Sequence, residues 1–145
     1  MKEKFSKRVQ SIIKQSKEEA IELGHSYVGS EHILLGLLKV NSGKGKKILD
    51  IFNININEMI NSINTRIKTS GGTLNLGHLP LTRRAERILR NSYNEASSRG
   101  DSISDDIHLL LAMLKEPEGI ASRVLKSFSL DYEAVSELIF SDDGS

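Results

Sequence analysis

Apolar residues recur at helical spacing along most of the chain, and one stretch is too apolar for a surface helix. In residues 24–38, GHSYVGSEHILLGLL, the side chains of Ile33, Leu34, Leu35, Leu37 and Leu38 encircle the axis instead of lining one face. That pattern predicts a central, buried helix from about Glu31 to Val40. Ser30 reads as its N-cap, with a hydroxyl able to accept a first-turn N–H. Glu31 then takes the first helical position, where the macrodipole favours a negative charge. Gly24 supplies the positive φ that closes a preceding helix. This first helix is amphipathic, with Phe5, Val9, Ile12, Ile13, Ala20 and Leu23 set among Lys, Arg, Glu and Gln, and Ser6 can cap it. Asn41-Ser42-Gly43 is turn chemistry. Lys46 to Phe52 predicts a short third helix with Ile48, Leu49 and Phe52 inward. Asn53 to Asn57 alternates Asn with Ile, too briefly to argue for a strand, and reads as a turn into a fourth helix carrying Met59, Ile60 and Ile63. Residues from about 69 to 80, TSGGTLNLGHLP, predict a linker from their glycines and proline.

After the linker the pattern starts again. A shift of 76 residues aligns the two halves without a gap. Arg8 meets Arg84, Ile12 meets Ile88, Ser16 meets Ser92, and Glu19-Ala20 meets Glu95-Ala96. Gly24 meets Gly100, His32 meets His108, Leu34-Leu35 meets Leu110-Leu111, Gly43 meets Gly119, and Phe52 meets Phe128. Such self-similarity at a fixed period is the signature of a repeat architecture. The chain is therefore expected to be all-α, with eight helices in two four-helix repeats related by a pseudo-twofold. Repeat 1 covers about 4–68, the linker about 69–80 and repeat 2 about 81–140, within a single domain over 1–145. Each half is expected to bury its central helix against that of the other. Pro117 suits the start of the seventh helix, where its missing N–H is no loss. The acidic end Ser141-Asp142-Asp143-Gly144-Ser145 reads as the start of a further linker.

Composition narrows the class. The formal net charge is +1, with 38% apolar and 27% charged residues, an ordinary globular balance lacking the basic excess of a nucleic-acid binder. There is no cysteine, which removes disulfides and thiol catalysis and fits a reducing cytoplasm. The charged N-terminus leads into an amphipathic segment and not a signal peptide, and no apolar run approaches the length of a membrane span. Neither nucleic acid nor membrane is an expected partner.

GHSYVGSEHILLGLL, followed by a Gly-containing turn, a short helix ending in Leu and Phe, and a second copy 76 residues on, resembles the Clp N-terminal repeat domain. These domains precede the ATPase rings of Clp/Hsp100 unfoldases, and the first half looks most like the ClpC type. The resemblance covers about residues 4 to 140. It implies a domain that is no enzyme and holds no cofactor, since ATP and Mg belong to the ATPase domains of the parent. The implied partners are adaptor proteins, tagged or unfolded substrates and, through the parent, a ClpP-type protease. A free-standing Clp-N-like protein without a motor would show the same sequence. Some ClpC-type domains recognise phosphoarginine, a degradation tag. Glu31 matches the family glutamate that pairs with the guanidinium. The helix N-termini at Ser6 and Ser30 can offer amides to a phosphate, with Lys7 and Arg8 nearby in sequence. The second repeat departs from this: Ile107 stands where Glu31 does, and Asp105-Asp106 replace Gly29-Ser30. One competent site is expected rather than two.

Plainer readings stand beside these. Glu31 can be a surface carboxylate favoured by the dipole by about 0.3–1 kcal/mol. His32 and His108 open the same apolar helix and read as hydrogen-bonded structural histidines. A zinc set of His25, Glu31 and His32, as a small metal-dependent hydrolase would need, lacks any H-E-x-x-H or paired-Cys spacing. Gly43-Lys44-Gly45-Lys46-Lys47 lacks G-x-x-x-x-G-K-[ST] and a preceding strand, so it is no nucleotide loop. Lys44, Lys46 and Lys47 are either a solvated helix start or a docking point for acidic partners. Asp105-Asp106 reads as the N-cap and first turn of the sixth helix.

Overall fold

The computed structural model describes residues 4–67 and 79–143, with side chains through Ile139. Eight helices lie among them: α1 (Lys7–Glu22), α2 (Ser30–Val40), α3 (Lys44–Ile51), α4 (Ile56–Arg66), α5 (Arg83–Ser98), α6 (Asp106–Lys115), α7 (Ile120–Ser127) and α8 (Tyr132–Asp143). Adding 76 to the bounds of α1 and α3 reproduces those of α5 and α7. Among the described residues the chain is all-α, with only two isolated β-bridges and no longer strand. Most of the predicted 69–80 linker lies outside the described residues.

Ser6 caps α1 by accepting from the Val9 amide at 3.1 Å, and Asn55 caps α4 by accepting from Glu58 at 3.0 Å. Asn53 adopts φ 56 in the turn before α4, so the Asn/Ile alternation is indeed no strand. Several boundaries differ from expectation. Gly29, not Ser30, is the N-cap of α2; Ser30 is its first residue and is buried, and Glu31 is its second. α3 starts at Lys44, two residues early, behind the Gly43 N-cap. Pro117 precedes α7, whose N-cap is Gly119. Ser141, Asp142 and Asp143, expected to leave the last helix, continue α8.

The central helices are as buried as their composition demands. Ile33, Leu34, Leu35, Leu37 and Leu38 of α2 and Ile107, Leu109, Leu110, Leu111, Met113 and Leu114 of α6 all belong to one core. Neither central helix is the other's main partner, however. α2 packs mainly on α1 of its own repeat and crosses to α5 and α7, while α6 packs on α5 and crosses to α1 and α3. The repeats therefore interleave, each central helix covered mainly by other helices of both repeats. The chain segments before the helices make the crossing explicit. Val28 pairs with Leu81 and Phe5 with Ser104 in parallel bridges. Their hydrogen bonds run from Thr82 N–H to the Val28 carbonyl at 2.9 Å and from Ser6 N–H to the Ser104 carbonyl at 2.9 Å.

The α1–α2 crossing is tight at Gly36. A Cβ there would lie 2.6 Å from the Ile12 carbonyl oxygen and 2.5 Å from Ser16 Oγ. That hydroxyl is itself held to the Ile12 carbonyl at 2.7 Å. The equivalent residue of repeat 2 is Ala112. Gly36→Ala is expected to destabilise the domain by about 1–3 kcal/mol in urea unfolding, because the clash with fixed backbone outweighs the better helix propensity. Ala112→Gly should cost about 2 kcal/mol, the propensity difference plus the lost burial of one methyl group. A stabilised Gly36→Ala would show that the crossing is slack.

Candidate functional site

The two bridges bring helix N-termini together in pairs across the repeats. Through Val28 and Leu81, the start of α2 meets the start of α5; through Phe5 and Ser104, the start of α6 meets the start of α1. Helix N-termini carry free amides and a partial positive charge, so each junction is an electropositive frame suited to an anion.

At the α6–α1 junction the chain fills that frame itself. The Asp105 carboxylate accepts from Ser6 Oγ at 2.9 Å, from Arg8 Nη1 at 3.0 and 3.1 Å, and from the Asp106 amide at 2.9 Å. Burial opposes the charged form, but the hydrogen bonds from Asp106, Ser6 and Arg8 hold the Asp105 carboxyl below the usual carboxylate range. Asp106, 1% exposed, reaches a third helix start and accepts from the Gly45 amide of α3 at 2.7 Å. Its other oxygen lies 3.9 Å from Arg8 and has no hydrogen-bond partner. Burial pushes its carboxyl up to about 6, and neighbouring Asp105 adds to this against the Gly45 hydrogen bond. Beside the junction lies a cleft of about 280 Å³, whose lining includes Ser6, Asp101, Ile103, Asp105, Ile107 and His108.

At the α2–α5 junction the same frame is left without those carboxylates. Gly29 stands for Asp105 and Ser30 for Asp106. Thr82 replaces Ser6 as the cap, accepting from the Ala85 amide at 3.0 Å and leaving its hydroxyl proton to donate. Arg84 replaces Arg8. Each of these arginines lies over the glycine N-cap of a third helix: Arg8 over Gly43 of α3, and Arg84 over Gly119 of α7. A Cβ at Gly119 would stand 2.7 Å from Arg84 Cδ, and φ 113 makes a side chain there doubly costly. Arg84 Nε is buried without a hydrogen-bond partner, 3.8 Å from Glu116 Oε1. Glu116 itself is held bidentately by Arg87 at 2.7 and 2.9 Å. The half-buried Glu31 carboxylate folds back over Gly29, where a Cβ would come within 2.5 Å of its Oε1.

Behind this junction runs a histidine chain. The Gly29 amide donates to His32 Nδ1 at 2.8 Å, so neutral His32 carries its proton on Nε2 and points it at His25 Nδ1, 2.8 Å away. Burial, then the neighbouring His25, lowers the His32 pKa to about 4, against a smaller opposing effect of Glu19. Repeat 2 uses the same device, with the Asp105 amide donating to His108 Nδ1 at 2.9 Å. Burial likewise lowers the His108 pKa, opposed by Asp101 and Asp105. Both histidines are thus hydrogen-bonded parts of a helix start. Among the described residues no group of three His, Cys, Asp or Glu side chains converges on a metal position.

Of the sequence candidates, Ser30 and Glu31 share the α2–α5 junction. Ser6 and Arg8 do not join them; they belong to the α6–α1 junction, bound to Asp105. Lys7 is exposed on the first turn of α1. Proximity along the chain does not carry over into space here, because the helix starts pair across the repeats. The residues that the α2–α5 junction sets beside Ser30 and Glu31, and that the candidate set lacked, are Gly29, Thr82 and Arg84. The 76-residue shift, which carries Ser6 onto Thr82 and Arg8 onto Arg84, was the available signal.

Comparison with known proteins agrees with this architecture. The family model described as the Clp repeat (R) N-terminal domain matches residues 4–128 and 80–141. The chain is 36% identical over 135 residues to an ATP-dependent Clp protease ATP-binding subunit ClpA homolog of Guillardia theta, covering 93% of this chain and 16% of that protein. It is 37% identical over 131 residues to the chloroplastic chaperone protein ClpC1 of Oryza sativa subsp. japonica, covering 90% of this chain and 14% of that one. It thus spans about one sixth or less of these curated relatives. Among solved structures, the Hsp104 N-terminal domain of Candida albicans superposes with a TM-score of 0.80 at 17% identity, over 99% of this chain and 93% of that one.

The buried acid and the buried base titrate in the same window with opposite sign. His32 has a folded pKa below its ordinary value, so its contribution to stability is lost as pH falls from 6.5 to about 4, on the order of 3 kcal/mol. His108 acts in the same direction. Asp106 has a folded pKa above its ordinary value, so it favours the folded state at acid pH and loses that effect as pH rises through about 6. Asp106→Asn removes the compensating group. Urea unfolding between pH 6.5 and 4.5 is expected to show a markedly steeper acid loss in Asp106→Asn than in the wild type. Parallel curves would mean that Asp106 stays ionised.

Proposed function

The chain belongs to the Clp repeat N-terminal domain family, and on that premise we propose that it is the recognition domain of a ClpC-like, ATP-dependent unfoldase. It binds adaptors and tagged or unfolded proteins, reads phosphoarginine at one site, and passes its cargo through the parent ring to a ClpP-type protease. The domain works by binding, without catalysis or a cofactor of its own, in a reducing compartment such as the cytoplasm.

One observation carries the tag-reading part. The same three-helix frame occurs twice, filled by Asp105 and Asp106 in one copy and lacking both in the other. Asp105 acts as an internal example of the ligand, an oxyanion held by a cap hydroxyl, an arginine and a first-turn amide. At the α2–α5 junction the corresponding donors are Thr82 Oγ1, Arg84 and the amides opening α2. A phosphate there receives charge-assisted hydrogen bonds from groups already in place. The guanidinium of a phosphoarginine needs an acceptor next to the phosphate, and Glu31 is a carboxylate on that same helix start. At the other junction Ile107 supplies none, and Asp105 already occupies the anion position.

Calorimetric titration with free phosphoarginine, with arginine and phosphoserine as controls, is expected to give one equivalent. Glu31→Ala and Arg84→Ala should each weaken binding at least tenfold, about 1.4 kcal/mol. Gly29→Asp, which installs the internal carboxylate of the other repeat, should abolish it. Thr82→Ala should weaken binding, whereas Ser6→Ala should not. Two equivalents, or equal losses in Thr82→Ala and Ser6→Ala, would refute the assignment of the tag to the α2–α5 junction.

A further inference from the structure

We propose that Tyr27 recognises the guanidinium plane of the bound side chain and so separates a phosphorylated arginine from phosphoserine and phosphothreonine. The inference rests on reading the α2–α5 junction as a phosphoarginine site. A lone exposed apolar residue needs no explanation, but Tyr27 is a positioned one. Its ring is 38% exposed at the residue level, lies parallel to His25 with centroids 5.5 Å apart and 1° between planes, and meets His32 edge-on at 5.7 Å. His25 and His32 are hydrogen-bonded to each other, and His32 is bonded to the Gly29 amide. The ring is therefore fixed relative to the backbone of the α2 N-cap, two residues before Gly29 and four before Glu31.

The pseudo-twofold says what space that ring borders. Tyr27 corresponds to Ile103, Gly29 to Asp105, Glu31 to Ile107 and Thr82 to Ser6. Ile103, Asp105, Ile107 and Ser6 all line the cleft of about 280 Å³ at the α6–α1 junction. By the same relation, Tyr27 walls the equivalent space above Gly29, Glu31 and Thr82. A guanidinium is planar, weakly hydrated and stacks on aromatic faces. The stems of phosphoserine and phosphothreonine have no such plane. Ile103, at the junction whose anion position is filled, supplies bulk without an aromatic face. The three groups then divide the ligand: Arg84, Thr82 and the α2 amides take the phosphate, Glu31 takes the guanidinium N–H groups, and Tyr27 takes its face.

The test compares two probes on the intact chain, phosphoarginine and inorganic phosphate, by calorimetry and by amide shifts of Ser30 and Glu31. Tyr27→Ala is expected to lower phosphoarginine affinity about tenfold while changing phosphate affinity less than twofold. Tyr27→Phe, which keeps the ring, should retain wild-type affinity, and Tyr27→Ile should behave like Tyr27→Ala. Thermal melts of each variant check that the fold is kept. Wild-type binding of phosphoarginine with no loss in Tyr27→Ala, equal losses for both probes, or no rescue by Tyr27→Phe would each overturn the role of Tyr27 alone. Absence of phosphoarginine binding by the wild type would overturn the site itself, and this role with it.

Discussion

Two single-residue pairings, Val28 with Leu81 and Phe5 with Ser104, tie the start of each repeat to the start of the other repeat's central helix. Each pairing uses backbone hydrogen bonds of 2.7 to 2.9 Å between segments too short to be strands in their own right. They are maintained because α2 and α6, apolar on every side, must be covered by helices of both repeats. The hydrophobic requirement thus dictates the interleaving, and the interleaving brings helix N-termini face to face. No functional residue has to be invoked to create the electropositive frames. They follow from how an all-apolar helix is buried in a small domain.

Once two such frames exist, their charge must be met. A partial positive charge shared by three helix starts is stabilised by an anion, and the anion can come from the chain or from a ligand. Repeat 2 takes the first course, with Asp105 stitching α6 to α1 and Asp106 reaching α3. Repeat 1 has glycine and serine at those positions, and across its junction repeat 2 keeps Arg84 against Gly119, its buried Nε 3.8 Å from Glu116 and without a hydrogen bond. The asymmetry distinguishes the junctions within a symmetric scaffold: one is clamped by Asp105 and Asp106, and the other has neither carboxylate. Asp106 shows the cost of the clamp, a carboxyl so buried that its charge is disfavoured.

The histidine at the third position of each central helix serves both junctions equally. Nδ1 of His32 and of His108 accepts the amide of the N-cap residue, a bond that only the neutral ring can accept. Burial keeps both rings neutral by disfavouring the cation. In repeat 1 the chain extends through His25 to Tyr27, so the backbone geometry of the helix start is coupled to the Tyr27 ring. Gly29 completes the arrangement by its missing side chain, which gives Glu31 room to fold back over the N-cap.

Hydrophobic period and turn chemistry alone determined that this chain is eight helices in two copies, because burial at 3.6-residue spacing and capping by Ser6 and Gly24 are local properties. The observed bounds of α1 and α3 recur in α5 and α7 at a shift of 76, since two similar local patterns meet the same physical demands. Helix starts were less secure: Ser30 was expected to cap α2 and Pro117 to open α7, whereas the N-caps are Gly29 and Gly119, each with a neighbouring side chain in the space a Cβ would fill. What the sequence could not decide was which helix starts meet. Glu31, Ser6, Lys7 and Arg8 are close along the chain, but the tertiary structure sets the start of α2 against the start of α5, with Thr82 and Arg84, and the start of α1 against that of α6. That choice depends on how two buried helices are covered from both repeats at once, a non-local packing outcome that no window of residues contains.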